Sequence, residues 1–234
     1  MSRQEKLAAL ASTGVTKAEL DNIDGGTARG TTAIADGDGV LINDAGTMRM
    51  TSVETMATYI GTKVGGGMEF IASSGAISNA ASVSFTQFNS SKYDSYLFKC
   101  YYVTPATDDV YLKAHVSTDG GSSYDTTSGN YHRNGYNDDI GFNLNANYAA
   151  GSDSNESGVS GTLELFGPHL TTYTTAYITT AVHRSTALNV EPGSTAGNKA
   201  QMHIISADVD AIQFKFNSGN IESGEITMFG IVNS

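Results

Sequence analysis

Tryptophan is absent from this chain, cysteine occurs once, proline three times, and lysine with arginine only 13 times in 234 residues. The single cysteine, Cys100, excludes an intramolecular disulfide and any thiolate-rich zinc site. Against 24 Asp+Glu the few cations leave a formal net charge of -11. Nucleic-acid binding by counterion release needs clustered Lys and Arg, so no nucleic-acid partner is expected. No apolar run approaches the roughly 20 residues that cross a bilayer, so no membrane insertion is expected. The start, Met1-Ser2-Arg3-Gln4-Glu5-Lys6-Leu7, has no long apolar segment, which argues against Sec-type export. Catalytic signatures are missing as well: no G-x-S-x-G elbow, no H-E-x-x-H helix, no Walker-type loop and no dinucleotide fingerprint after a strand. These absences predict a protein that is not an enzyme and uses no cofactor.

What is present leans towards β structure. There are 26 glycines, Ser, Thr, Asn and Ala are abundant, and the Glu/Lys/Leu mixture of long helices is scarce. Gly65-Gly66-Gly67 would weaken any regular element, and it sets a boundary between an N-terminal region, 1–66, and a larger domain, 67–234. Ser2 with Glu5 and Thr16 with Glu19 fit the S/T-x-x-E capping box, and each predicts a short helix. Val40-Leu41-Ile42 and Thr47-Met48-Arg49-Met50 flank the turn formers Asn43-Asp44-Ala45-Gly46, which predicts a hairpin. Thr51 and Glu54 offer a third capping box, followed by Val53, Ala57, Ile60 and Val64 at helical spacing. That stripe suits either an oligomerisation seam between chains or an amphipathic helix packed on its own hairpin.

Beyond the triglycine the period changes to that of strands. The pattern predicts strands at Ser82-Phe88, Tyr96-Val103, Val110-Ser117, Gly161-Phe166, Thr175-His183, Ala200-Ile205, Ala211-Phe216 and Glu225-Ile231. About eight short strands with no helix between them imply antiparallel connections, hence a mainly β fold with a jelly-roll-like sandwich head. In Ala211-Ile212-Gln213-Phe214-Lys215-Phe216 the alternation turns Ile212, Phe214 and Phe216 to the core and Gln213 and Lys215 away. The stretch from Tyr124 to Gly161 reads as a long irregular connection, with a strand such as Ile140-Phe142 hidden in it.

Within that stretch Tyr131, His132, Arg133, Tyr136, Asn137 and Asp138 form a candidate binding cluster. Tyr and His stack on sugar faces or partner surfaces, and Asn, Asp and Arg add directional hydrogen bonds. The plainer alternative is a solvated loop with packed tyrosines. His115, His183 and His203 fall on predicted strands, where they are expected to face outward or towards another chain. None of the five histidines has metal-site spacing, so no metal is expected. Asp36-Gly37-Asp38-Gly39 has the alternating carboxylates with which a calcium loop opens but lacks the rest of one, and a turn is expected. Cys100 lies in the strand pattern Leu97-Phe98-Lys99-Cys100-Tyr101-Tyr102 and reads as a small buried residue. Asp138-Asp139 would be the first suspects for a glycosidase pair, although neighbours on a chain usually point apart. Asn89-Ser90-Ser91 and Asn155-Glu156-Ser157 match the glycosylation pattern but read as chance matches without an export signal.

Ala18 to Gly25 and Ile34 to Met50 resemble segments that recur in structural and tail-fibre proteins of tailed bacteriophages. Tyr93 to Phe98, Leu112 to Tyr124 and Ser223 to Ile231 resemble the C-terminal β-sandwich heads of such fibres. The resemblance implies a homotrimeric virion fibre or spike protein, assembled in the host cytoplasm. Its N-terminal region would dock to other virion proteins, and its head would be displayed towards a host cell-surface glycan or protein. The family's long shafts are missing, so a short fibre, a fibre tip or a head-mounted spike fits the length better. A structural decoration or adaptor protein of the virion is the alternative.

Overall fold

The computed structural model describes residues 31–63, 67–133, 136–146, 148–153, 156–183, 190–192 and 199–232, with residues 2, 4, 5 and 14. The chain divides into two compact units, Met1–Lys63 and Val64–Ser234. The helices expected after Ser2 and Thr16 lie outside the described residues. The reciprocal bonds of the first capping box are nevertheless made, Glu5 N–H to Ser2 Oγ at 3.2 Å and Ser2 N–H to Glu5 Oε2 at 2.5 Å.

The first unit holds the expected hairpin, β1 (Gly39–Asp44) and β2 (Thr47–Ser52), followed at once by helix α1 (Val53–Lys63). Ala45 and Gly46 both take positive φ, 50° and 93°, and Gly46 N–H donates to Asn43 Oδ1 at 2.7 Å. This is the left-handed pair that matches the twist of a tight hairpin. The cap of α1 differs from expectation. Ser52 Oγ, not Thr51, accepts from the Thr55 N–H at 3.1 Å. Asp38 O and Asp36 O take the Val53 and Glu54 N–H groups. The Asp36-Gly37-Asp38-Gly39 segment is therefore a turn that closes the helix start, held by Asp38 N–H to Ala35 O at 3.0 Å. Among the described residues no helix is long and apolar enough to cross a membrane.

The second unit is an antiparallel β-sandwich. One sheet has ten strands: β3 (Met68–Ser73), β4 (Ile77–Ala80), β6 (Tyr93–Pro105), β8 (Tyr131–Arg133), β9 (Tyr136–Asp139), β11 (Gly158–Phe166), β12 (Thr174–His183), β13 (Val190–Pro192), β14 (Ala200–His203) and β16 (Ile221–Val232). Its main order is β3-β16-β6-β11-β12-β14-β8-β9, with β4 on β16 and β13 on β12. The other sheet runs β10 (Phe142–Asn143), β7 (Leu112–Ser117), β15 (Ala211–Phe216), β5 (Val83–Phe85). Phe98 of the large sheet meets Phe85 and Phe214 of the small one at ring distances of 5.7 and 5.3 Å, which joins the layers through one aromatic core. The alternation in β15 is as expected, with Ile212, Phe214 and Phe216 buried and Gln213 and Lys215 partly exposed. Cys100 is buried in this core, where loss of water pushes its thiol up to about 12. It sits opposite Gly161, whose φ is 143° and whose missing Cβ would lie 2.2 Å from Thr179 O. The unit closes on itself: β3 and β16 pair side by side, and Val232 N–H donates to Gly67 O at 3.2 Å.

The expected irregular stretch from Tyr124 to Gly161 contains instead three short strands, β8, β9 and β10, and a segment packed along β7. Leu144 N–H donates to Leu112 O at 2.9 Å, and the buried Asn145 side chain accepts the Leu112 N–H at 2.7 Å. His115 is a second correction. It is 3% exposed, because β7 runs between β10 and β15 and Gly141 lets backbone approach the imidazole; a Cβ there would stand 3.0 Å from the ring. Burial, reinforced by the positive charges of Lys215 and Lys113 and opposed by Asp125, lowers the His115 pKa to about 4, so it is neutral at pH 7.

Candidate functional site

The most elaborate polar construction in the sandwich is the segment from Ser117 to Tyr131 that leaves β7 and enters β8. Asp119 organises its first half. Its carboxylate accepts from Ser117 Oγ at 2.7 Å and from the Ser123 N–H at 2.9 Å, and also from the Ser123 hydroxyl. Those bonds, led by the two from Ser123, hold the exposed Asp119 at about 2. Gly120 and Gly121 turn the chain at φ 71° and 83°, and Gly120 N–H is gripped by both Asp210 oxygens at 2.9 Å. The turn is thereby pinned to the connection that precedes β15.

Asp125 organises the second half. Its N–H donates to Val116 O at 2.8 Å, and its carboxylate accepts from Thr127 N–H at 2.8 Å, Asn130 Nδ2 at 2.7 Å and His203 Nε2 at 2.8 Å. Partial burial pushes Asp125 up, but the bonds from His203, Asn130 and Thr127 outweigh it and hold it down at about 2. Tyr131 completes the brace: its hydroxyl accepts the Val116 N–H and donates to Asp125 O, both at 3.0 Å. Its ring stands edge-on to Phe142 at 5.1 Å and lies 4.8 Å from the His203 ring.

This brace borders an open cavity of about 450 Å³ beside Asp125, Asn130 and His203, with Thr118, Tyr124, Thr126 and Ile205 also on its wall. The wall combines hydroxyl, amide and carboxylate groups with one aromatic and one aliphatic face. His203 is 1% exposed, and its Nδ1 is buried without a hydrogen-bond partner among the described residues. The Asp125–His203 bond fastens β14 to the segment. Among the described residues no three His, Cys, Asp or Glu side chains converge as a metal site.

The candidate residues read from the sequence lie on the paired strands β8 and β9. Tyr131 is 1% exposed, and this overturns its place in a displayed binding loop: its ring fills the core and its hydroxyl satisfies two backbone groups. His132 and Arg133 are half-buried on β8, and His132 Nε2 bonds Gly129 O at 3.1 Å. Tyr136, Asn137 and Asp138 have their backbone in β9, and their side chains lie outside the described residues, as does that of Asp139. His203, expected to face outward or towards another chain, is buried within the sandwich instead, because Asp125 supplies the partner that a buried imidazole needs. Asp125 carried no distinguishing signal, since its partner is 78 residues away in the chain.

Of the stripe expected as an oligomerisation seam, Val53 is half-buried, Ala57 and Ile60 are exposed, and Val64 lies outside the described residues. Ile60 lines an apolar cleft of about 540 Å³ with Ile42, Met56 and Tyr59, between the helix and the hairpin. No protein-family model matches the chain, and no curated protein matches it.

Proposed function

We propose that this chain is a bacteriophage virion fibre or spike protein, homotrimeric, whose β-sandwich head attaches the particle to the host surface. The N-terminal unit then serves as the link to other virion proteins. One observation carries the reading: the stretch Leu112 to Tyr124, which resembles fibre heads, opens into a connection held rigid from both ends beside an open polar cavity. A recognition surface ordered before it meets its ligand loses little conformational freedom on binding. Hydroxyl, amide and carboxylate groups beside Tyr124 and Ile205 suit a polyhydroxylated ligand, which favours a cell-surface glycan. Several heads on one particle convert weak single contacts into firm adsorption.

Competition for phage adsorption by the purified protein tests this. Tyr124→Ala with Thr126→Ala is expected to weaken competition about ten-fold or more, the loss of roughly 1.4 kcal/mol per site, with the fold unchanged by circular dichroism. Competition equal to that of the unaltered protein would remove the cavity from the attachment reading. The alternative, a structural decoration or adaptor protein of the virion, would rely chiefly on the N-terminal hairpin and helix.

A further inference from the structure

Alternation along the strands of the large sheet sends one set of side chains into the sandwich and the other set outward, and the outward set includes a cluster of large apolar residues. In one row across five strands the register places Phe70, Phe229, Leu97, Glu164 and Tyr177 side by side. The rings of Phe70 and Phe229 meet edge-on at 6.1 Å. The row beside it carries Met68, Ile231, Ser95, Phe166 and Thr175. Phe70 is 64% exposed, Tyr177 45% and Phe166 42%. An antiparallel sheet with one wet face normally shows polar residues there.

We propose that this outer face is covered by other copies of the same chain, so that the heads assemble through their large sheets. Charge favours a copy of itself over a foreign partner. The chain carries a net charge of -11. Yet in these two rows and the next, which holds Ser73, Thr227, Lys99, Thr162 and Thr179, the charged residues are Lys99 and Glu164, with only the Glu225 carboxylate reaching in to Ser73 at 2.6 Å, so the face is close to neutral. Two copies repel least where this face meets its like. Lys99 and Glu164 stand on the adjacent strands β6 and β11, Glu164 opposite Leu97 and Lys99 one row away opposite Thr162. Copies gathered about an axis near Leu97 bring Lys99 of one towards Glu164 of the next, which fixes orientation.

Area supports the same occupant. The five strands from β3 to β12, about 4.8 Å apart, and three rows about 6.7 Å apart outline roughly 24 by 20 Å. A pair of such faces covers on the order of 1,000 Å² in total, the lower bound for a specific interface. The exposed phenylalanines are the type of side chain that anchors such contacts.

This inference rests on the homomeric part of the reading above and not on the cavity. The test is the solution mass of the full chain by light scattering across a dilution series, for the unaltered protein and for Phe70→Asp with Phe166→Asp. A milder Phe70→Ser, Phe166→Ser pair serves if the charged one misfolds. The unaltered protein is expected to be a multimer, and the variant to dissociate at a concentration about a hundred-fold higher or more, with an unchanged circular dichroism spectrum. A multimer indifferent to either variant would overturn the proposal and give assembly to the first unit. A monomeric unaltered protein would overturn it too, and if that monomer still competed for adsorption the attachment reading would stand without it.

Discussion

Replacing Tyr131 by Phe removes one oxygen atom and nothing else from the centre of the brace. The ring keeps its edge contact with Phe142 and its place beside His203. Two bonds disappear, from Val116 N–H and to Asp125 O. Each contributes about 1 kcal/mol net, and the Val116 N–H, buried in β7, is left without its acceptor at a further cost of about 1 kcal/mol. The sum is about 3 kcal/mol. For a unit of this size that is a fall in Tm of roughly 6 to 12 °C. The assay is thermal unfolding followed by circular dichroism at neutral pH, with Tyr124→Phe as the control. The Tyr124 hydroxyl has no hydrogen-bond partner among the described residues, and its loss is expected to cost less than about 0.5 kcal/mol. A Tyr131→Phe variant that melts within about 2 °C of the unaltered protein would refute the claim that this hydroxyl holds the connection to β7.

Two further outcomes follow from buried titratable groups. His115 titrates near 4 in the folded state against 6.5 ordinarily, so as pH falls the unfolded chain takes up the proton first. The stability it contributes is complete above pH 6.5 and is lost between 6.5 and about 4, amounting to about 3 kcal/mol. Urea midpoints measured across that window should fall more steeply for the unaltered protein than for His115→Gln, and parallel curves would contradict the burial assigned to the imidazole. Cys100, pushed up to about 12, is expected to resist a disulfide reagent at about pH 8 in the folded protein and to react with one equivalent in guanidinium. Rapid labelling of the native chain would show the core open at β6.

The sandwich was legible where a strand is long enough for its period to repeat. Six residues of β15 suffice to assign every side chain to a face, and Val40 to Met50 announce a hairpin through their turn residues. Strands of two to four residues, such as β8, β9 and β10, fall below any period and merge with the polar connections around them. Histidines on β7 and β14 misled for another reason. Alternation assigns a face but not what covers it, and both His115 and His203 lie on faces that segments distant in the chain bury. The site was harder still. Asp119 looks like one more turn residue, and its grip on Ser117 and Ser123 is local, whereas Asp125 gains its meaning from His203 and Tyr131 in space. In β6, Leu97-Phe98-Lys99-Cys100-Tyr101 is apolar on both faces, so the pattern by itself does not distinguish the core side from the side offered to a partner.

The pairing of β3 with β16 brings the two ends of the sandwich together at Gly67 and Val232. A fold whose entry and exit coincide is a cassette. It occupies a single point on whatever carries it, and it can be exchanged for another sandwich, or set into a surface turn of a host protein, without rerouting the carrier's backbone. Joining the two ends by a short linker and opening the chain at the exposed Gly219 turn should return the same fold, with its order of elements rotated and its cavity intact.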